Sequence, residues 1–322
     1  MTPDELLGPG SNDSTAKQGG LEVSERPLIL YAYKESDNAR QNLEFFIHQG
    51  LHGAADFIFI LNGETDAAEW IPDAANIRVV QRPNVCFDLG AYGEVLREGD
   101  LWRKYKRFIT MNASIRGPFI PAWSKHCWSD AFLDRLSDDV KVTHPTHPHV
   151  VVLLVRGMFE LTTYGGVIQL VGLTVNCGPT PHVQSMLWAT DSVGMELLLY
   201  PEAAAAASGA DPFGSAEDPV AFGGCYMDYW KAVHAEVGTT GLVRGAGYNV
   251  SAMMAAFEDP SYMDHCEWGE DVLYDKHYFG TNLHPYETIF AKTNRDIDPF
   301  LIDLMTKIHA HTQEGRSRDL CR

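Results

Sequence analysis

Short apolar runs alternate with segments of helical periodicity in the first third of the chain. Four runs of strand length lie in segments 26–36, 56–63, 76–84 and 105–114. Segments 37–51 and 88–100 instead repeat their apolar residues at the spacing of one helix face. The order strand, helix, strand, strand, helix, strand predicts a mostly parallel α/β sheet with flanking helices and right-handed crossovers. Ligands in such sheets bind at the carboxyl ends of the strands.

The rest of the chain continues this pattern less regularly. Segment 122–136 predicts a helix, 170–177 a strand, and 182–199 a strand or helix start that runs into a helix. A further helix leads to Glu236, after a low-complexity stretch that predicts a surface loop. We therefore predict a single α/β domain between two tails, with a disordered N-terminal tail at 1–26, the domain at 27–310 and a C-terminal tail at 311–322.

The chain is strongly acidic, with a formal net charge of −18 from 43 acidic and 25 basic residues. Such a charge repels nucleic acid and anionic membranes, which we exclude as partners. An anionic substrate needs basic residues close to its site to offset this field. The sequence has no run of about 18 apolar residues, so no membrane span is predicted.

The cysteines bear on the cellular compartment. All six are scattered singly without a C-x-x-C pair, so neither structural zinc nor a disulfide framework is indicated. We expect buried free thiols in a reducing compartment. The N-terminus lacks the basic start and apolar core of a signal peptide, which indicates a cytoplasmic protein. An incomplete N-terminus would leave Golgi or membrane association open.

Polar residues follow the fourth predicted strand in the sequence MNASIRGP. Asn112 and Ser114 offer oxygens that suit sugar hydroxyls or a water-bridged metal, and Arg116 carries the charge to neutralise a phosphate. The alternative is a strand that ends in a hydrogen-bonded turn.

A second polar turn, RPNVCFDLGAYG, follows the third predicted strand. Asp88 stands where it would cap the next helix, Gly90 permits close backbone approach, and Arg82 precedes the helix end. Helix N-termini bind anions, so the turn predicts a pocket for a diphosphate or a ribose hydroxyl. An ordinary N-cap with glycines in the turn is the alternative.

Basic residues recur near the C-terminus in LHPYETIFAKTNR. Lys292 and Arg295 lie close in sequence to His284, Tyr286 and Glu287. They are either surface charges, with Lys292 paired to Glu287, or the positive region that an anionic donor needs.

Several catalytic motifs are missing from the sequence. It has no His-x-x-x-His helix with a nearby glutamate, no Gly-x-Ser-x-Gly elbow and no phosphate-loop lysine. His144, His147 and His149 alternate with prolines instead. The first strand is not followed by Gly-x-Gly-x-x-Gly. These absences argue against a metallohydrolase, a serine hydrolase, a kinase and a Rossmann-like oxidoreductase.

The order of the sequence blocks described above resembles that of the rhamnan synthesis protein F family. Members of this family are glycosyltransferase-like proteins of surface-polysaccharide assembly. The resemblance covers roughly residues 27–300 and rests on the tyrosine-bearing first strand and on RPNVCFDLGAYG, MNASIRGPFIP, LVGLTVNCGPTPHVQSMLWA, AEVGTTGLVRGAGYN and PYETIFAKTNR. It implies a Rossmann-like fold of the GT-A type. It also implies transfer of a sugar from a nucleotide-sugar donor to a glycan or other hydroxyl acceptor.

The resemblance implies roles for individual residues by position. Nucleotide contacts fall on Tyr31, Tyr33, Arg82, Asp88 and Gly90. Contacts with the donor sugar or acceptor fall on Asn112, Ser114, Arg116, His182, Gln184 and Ser185. The leaving diphosphate would be offset by Lys292, Arg295 or Arg116. We expect Glu236 as the catalytic base, with Asp191 as second choice.

Ala113 departs from the family pattern, which has an acid at this place. Many such transferases hold Mg²⁺ or Mn²⁺ on the diphosphate with an Asp-x-Asp pair, and hard cations favour carboxylates. Dependence on a divalent metal is therefore doubtful. The alternative function is a non-catalytic nucleotide- or glycan-binding protein of the same fold.

Segment 142–169 interrupts the family pattern between SDDVK and LVGLTVNC. Its 28 residues begin with Val, whose codons start with GT, and end with Gln, which CAG encodes. We hypothesise that it is a translated, retained intron of a eukaryotic gene. A β-hairpin insertion is the alternative, because HVVVLLV has high strand propensity.

Transcript sequencing distinguishes the two origins of segment 142–169. A retained intron predicts reads in which the codon of Lys141 joins that of Leu170 directly. Full-length transcripts alone would contradict the intron hypothesis.

Overall fold

The computed structural model describes most of the chain. It covers residues 23–136, 167–201, 211–257, 263, 266, 271–295, 297–312 and 315–322. Residues 202–210 of the low-complexity stretch 201–219, most of the N-terminal tail and most of segment 142–169 lie outside the described residues.

The described residues form helices and strands in the alternating order that the sequence predicts. The strands are β1 (Leu28–Lys34), β2 (Asp56–Asn62), β3 (Ile77–Arg82), β4 (Arg107–Asn112), β5 (Ile115–Arg116), β6 (Ile168–Gly172), β7 (Val175–Asn176), β8 (His182–Val183), β9 (Leu187–Asp191), β10 (Asn249–Ala252) and β11 (Ala291–Lys292). The α-helices are α1 (Asp37–Gln49), α2 (Phe87–Arg97), α3 (Trp128–Leu133), α4 (Ser192–Leu199), α5 (Tyr229–Gly245), α6 (Pro285–Thr288), α7 (Pro299–Thr312) and α8 (Arg316–Leu320).

A seven-stranded sheet forms the centre of the domain, in the order β10-β6-β9-β4-β1-β2-β3. Strand β9 runs antiparallel to β4 and β6, and the other neighbouring strands are parallel. Two-stranded pairs, β5 with β11 and β7 with β8, lie beside it. The prediction of a Rossmann-like α/β domain with a mostly parallel sheet is confirmed.

Strand β1 is buried along almost its whole length, which explains its continuous apolar sequence. It pairs in parallel with β2 on one side and with β4 on the other. Strands β2 and β3 thus lie on one side of β1, and the next strand of the sheet, β4, lies on its other side. Such a change of direction opens a crevice at the carboxyl ends of the two strands.

Helices flank the sheet and are fixed by aromatic packing. Phe46 of α1 stacks on Tyr31 of β1, with ring centroids 5.0 Å apart, and meets Trp128 of α3 edge-on. The Trp128 indole nitrogen donates a hydrogen bond of 2.8 Å to the Gly50 carbonyl. Helix α5 packs against both α2 and α4. None of the described helices combines the length and apolarity that crossing a membrane requires.

Two predicted elements differ from those observed. The helix predicted over 122–136 is reduced to α3, because Trp123 is 82% exposed and only the part from Trp128 onward has an apolar face to bury. The strand predicted over 170–177 is divided into β6 and β7, which pair with different partners.

Both predicted tails make contacts at their inner ends. Ser24 donates its backbone N–H to the Lys104 carbonyl at 2.8 Å, and Arg26 forms an ion pair of 2.7 Å with Asp56. At the other end, residues expected to form a tail fold into α8.

The expectation of free thiols is wrong, because every cysteine is paired. The disulfide bonds are Cys86–Cys225, Cys127–Cys321 and Cys177–Cys266. Their partners lie 139, 194 and 89 residues apart, so each bond closes a long loop. Spacing along the sequence carries no information about such pairs, since the fold alone brings them together.

The disulfide pairing predicts resistance to thiol labelling and a contribution to stability. Protein unfolded without reductant should take up no iodoacetamide. Replacing Cys127 and Cys321 together by serine should lower the free energy of unfolding by about 2–4 kcal/mol, because the unfolded chain loses a long closed loop. Urea unfolding of both proteins, with and without dithiothreitol, measures this difference. Dithiothreitol should lower the free energy of unfolding more in the wild-type protein, which has one more disulfide to lose. An equal decrease in both proteins would contradict the prediction.

Candidate active site

A cavity of about 430 Å³ lies at the carboxyl ends of β1 and β4, where the strand order changes direction. We call it the strand-end cavity. Ala32 and Lys34 of β1 contribute to it, as do Asn112 and Ala113 at the end of β4. Its other lining residues are Ser36, Asn38, Ala39, Asn84, Val85, Cys86, Phe87, Asp88, Ser114, Tyr226, Met227 and Asn294.

Helices α1 and α2 both point their N-termini at this cavity. Ser36 caps α1 by accepting a hydrogen bond from the Ala39 N–H at 3.1 Å. Helix α2 starts differently, because Cys86 and Phe87 have left-handed backbone angles and no side chain caps its first turn. The backbone N–H groups at such an end attract anions.

A disulfide and a glycine fix the start of α2. Cys86 is bonded to Cys225, which brings the following residues, Tyr226 and Met227, into the cavity wall. A Cβ atom on Gly90 would lie 2.9 Å from the Gly224 carbonyl oxygen. Glycine is therefore required at residue 90 for packing, and it lies outside the lining of the cavity.

Asp88 is the central acidic group of the cavity. It stands in the first turn of α2, close enough to the side chain of Asn112 for Asn112 to stabilise its charged form. Burial raises the pKa of Asp88 to about 6, although Lys292 and Asn112 act in the opposite direction. A carboxyl group with such a pKa accepts a proton more readily than an ordinary aspartate does.

Lys292 joins the cavity to the strand pair β5–β11. Its ammonium donates a hydrogen bond of 2.8 Å to the Ser114 hydroxyl, which in turn donates to the Asn112 side-chain oxygen. Asn112 also accepts the Ser114 backbone N–H at 3.1 Å. Burial lowers the pKa of Lys292, while the charges of Glu236 and Asp88 favour its protonated form.

Glu236, the expected base, lies in a buried cluster next to this chain of contacts. Its carboxylate accepts the Ser185 backbone N–H at 2.8 Å and the Ser185 hydroxyl, and lies 3.7 Å from His182 Nε2. Burial opposes its charge, but His182 and Ser185 prevail and lower the pKa of Glu236 to about 2. So low a pKa makes Glu236 a weak base.

His182 and Gln184 are held by neighbouring polar groups. His182 Nδ1 donates to the Thr180 carbonyl at 2.8 Å, and Glu236 overcomes the effect of burial to raise the pKa of His182. Gln184 accepts a hydrogen bond of 2.7 Å from Thr174 and donates one of 3.3 Å to Asp271. His182 thus supports Glu236, and both His182 and Gln184 lie outside the lining of the cavity.

Three predicted nucleotide contacts also lie outside the lining. Tyr31 is in the core between Phe46 and Phe59, while Ala32, whose side chain leaves the opposite face of β1, lines the cavity. Tyr33 donates to Glu35 at 2.9 Å. Buried Arg82 donates to Asn62 at 2.7 Å and to the Val85 carbonyl at 3.0 Å, and pairs with Glu94. It thereby shapes the turn before α2.

The remaining predicted residues lie at three different places. Arg295 stacks over the Tyr274 ring at 5.4 Å, and its charge acts on Lys292. Arg116 lines another cavity, between α1 and α7. Asp191 caps α4 by accepting the Val193 and Gly194 N–H groups at 2.9 Å. It is paired in register with Arg107 at the start of β4, so it lies at the opposite end of the sheet from Asn112.

Sequence reasoning missed several lining residues. Lys34 had a signal, since it is the first polar residue after the apolar run of β1. Asn84 lies inside the quoted turn RPNVCFDLGAYG. Tyr226 and Met227 had no local signal, because they reach the cavity through the Cys86–Cys225 bond.

The donor atoms of the cavity do not fit Mg²⁺ or Mn²⁺. Among the described lining residues, Asp88 is the single carboxylate, and the Asn112 oxygen already accepts two hydrogen bonds from Ser114. Lys34 also lines the cavity and Lys292 binds the lining residue Ser114, so the positive charge of both side chains opposes a divalent cation there. The group of His52, Cys127 and Cys321 is no metal site either, because the two sulfurs form a disulfide.

Comparison with known proteins gives only distant similarity. No protein-family model and no curated protein matches the chain. A cytidylyltransferase from Leptospira borgpetersenii serovar Hardjo-bovis has 11% identity and a TM-score of 0.26, over 56% of this chain and 64% of its own length. A 4-diphosphocytidyl-2C-methyl-D-erythritol synthase has 14% identity and a TM-score of 0.28, over 55% of this chain and 80% of its own. Similarity this low does not bear on activity.

The raised pKa of Asp88 predicts a stability that depends on pH. Asp88 ionises less readily in the folded protein than in the unfolded chain. Its ionisation therefore lowers the free energy of unfolding, and this loss develops as the pH rises from about 4 to the folded pKa of about 6. Asp88→Asn should therefore raise the free energy of unfolding at pH 7 by about 1–3 kcal/mol, and the gain should vanish below about pH 4. Urea unfolding at both pH values measures it.

Asp191→Asn is the matched control for this measurement. It removes the same charge at the other end of the sheet, and asparagine keeps the oxygen that caps α4. We expect Asp191→Asn to change the free energy of unfolding by no more than about 0.5 kcal/mol at either pH. A loss of stability in Asp88→Asn at pH 7 would show that the charged form of Asp88 is needed for folding.

Proposed function

We propose that the protein is a glycosyltransferase that uses a nucleotide-sugar donor and a hydroxyl acceptor. The observation that carries this proposal is the strand-end cavity, in which Asp88 and Asn112 meet beside Ser114 and Lys292. The resemblance to the rhamnan synthesis protein F family supports the same activity through the three sequence blocks that supply these residues.

Anion-binding groups in the cavity support a diphosphate as part of the donor. The first turn of α2, which no described side chain caps, offers backbone N–H groups. Lys34 lines the cavity, and Lys292 contacts its wall through Ser114, so both bring positive charge into an otherwise acidic protein. Lys292 would offset the charge that develops on the leaving diphosphate. Arg295, close enough to influence Lys292, would add to this positive potential.

Asp88 is our choice for the catalytic base, in place of Glu236. It lines the cavity, and its pKa of about 6 lies close to neutral pH, where a base works best. The acceptor oxygen attacks the anomeric carbon as the bond to the diphosphate breaks, and Asp88 takes the acceptor proton. The nucleoside diphosphate leaves with the bonding electron pair, which gives inversion at the anomeric carbon. No metal takes part in these steps.

A second candidate function is binding of a nucleotide or glycan without turnover. It is favoured by Ala113, which supplies no acid beside Asn112, and by Glu236, whose carboxylate is already engaged by Ser185 and His182. A cavity of the same shape would then select a ligand without transferring a sugar.

The disulfides favour an oxidising compartment over the expected cytoplasm. Three disulfides that use every cysteine are typical of secreted and luminal proteins and rare in the cytosol. We propose that the protein works in such a compartment, of which the Golgi lumen is one.

Release of free nucleotide from a panel of nucleotide sugars tests the enzyme. We expect wild-type protein to release nucleotide, faster with a hydroxyl acceptor present. Asp88→Asn should lower kcat by about 10²–10⁴-fold, because it removes the base, and should still bind nucleoside diphosphate in a thermal-shift assay. Asp191→Asn, outside the cavity, should keep wild-type activity.

Other results of these assays would contradict part or all of the proposal. Nucleotide binding without release by the wild-type protein would select the second candidate function. Full activity of Asp88→Asn would exclude Asp88 as the base. Neither binding nor release across the panel would contradict both candidate functions.

A further inference from the structure

A second cavity, of about 380 Å³, lies between α1 and α7, away from the strand-end cavity. We call it the α1–α7 cavity. Arg116 lies against it, together with Gln41, Phe45 and Thr306. The proposed function makes no use of this cavity or of Arg116.

The charge of Arg116 is buried with little compensation from acids. Its side chain is 5% exposed, and the nearest carboxylate oxygen, of Asp303, is 3.6 Å away on a side chain that is 67% exposed. An ion pair of this length on an exposed partner contributes little. Burial accordingly lowers the pKa of Arg116. A buried cation whose one nearby carboxylate is exposed is costly, so a further anionic partner would be favoured.

Arg116 donates its hydrogen bonds to neutral groups, and these bonds do not use all of its N–H donors. It donates to Asn42 at 2.9 Å, to Gln41 at 3.0 Å and to Thr306 at 3.3 Å. A guanidinium has five N–H groups. Among the described contacts, one N–H on Nη2 has no partner, and one on Nη1 has no partner closer than the Asp303 oxygen at 3.6 Å. A planar carboxylate is the group that matches such a fork.

The rest of the α1–α7 cavity favours a ligand that has an apolar part and a single negative charge. Phe45 gives it an apolar wall that continues into a small hydrophobic cluster with Phe119 and Met305. Glu44 at the rim and the net charge of −18 oppose a second negative charge. One guanidinium therefore suits a monoanion better than a phosphate dianion.

We propose that the α1–α7 cavity binds a small monocarboxylate, whose carboxylate pairs with Arg116 while its apolar part packs on Phe45. The site is separate from the strand-end cavity, since fully buried Asn42 stands between them. Asn42 accepts from Arg116 and donates to the Ala113 carbonyl at 2.8 Å and to Thr293 at 2.7 Å. The proposal does not depend on the proposed function.

Calorimetric titration with phenylacetate tests the site, with phenylacetamide as its neutral counterpart and inorganic phosphate as a dianion. We expect phenylacetate to bind with a dissociation constant of about millimolar, as suits so small a ligand. Phenylacetamide and phosphate should each bind at least about tenfold more weakly, because they lack the charge or the planar, singly charged group. Equal binding of either probe, or no binding of phenylacetate, would overturn the proposal.

Two variants locate the binding in the cavity. Arg116→Lys keeps the charge without the fork and should weaken phenylacetate by about tenfold or more. Ala310→Trp adds bulk from an exposed position of α7 that lines the cavity, so it should abolish binding without disturbing Arg116 or the core. Circular dichroism and thermal unfolding check that Ala310→Trp is folded. Unchanged phenylacetate affinity in folded Ala310→Trp would place the ligand elsewhere and overturn the proposal.

Discussion

The parallel pairing of β1 with β4 is the constraint on which the candidate site depends. Its register runs from Leu28 opposite Phe108 to Ala32 opposite Asn112, so both strands end at the same edge of the sheet. Because β2 and β3 extend from the other side of β1, none of the described strands crosses the crevice between the two ends. Helix α2, entering after β3, then delivers Asp88 to Asn112.

Partly buried charges give this crevice its chemical character. Asp88, Lys292 and Glu236 lie close enough to influence one another, and each is removed in part from water. The Glu236 carboxylate has partners that stabilise its charge, whereas Asp88 has fewer, so two carboxylates of one cluster have widely different pKa values. Such a division lets one group stay ionised while its neighbour exchanges a proton near neutral pH.

Sequence reasoning named some of the residues that line the strand-end cavity and missed others, for identifiable reasons. Asp88, Asn112 and Ser114 follow predicted strands directly, and in a parallel sheet such residues share an edge. Asp191 lies in a segment predicted as a strand or helix start, and the strand that forms there, β9, is antiparallel to β4, so its end lies at the far edge. Arg116 lies only two residues beyond Ser114, yet pairing of β5 with distant β11 sets its direction into another cavity.

The sequence by itself determined the α/β class, the buried character of β1 and the polar turns after β3 and β4. These features depend on neighbouring residues, whose apolar period and turn chemistry are visible locally. Tertiary structure alone decided the direction of β9, the disulfide partners, the separation of Arg116 from the strand-end cavity and the pKa of Asp88. Each of these depends on contacts between residues far apart in the chain, and such contacts leave no mark on the local pattern.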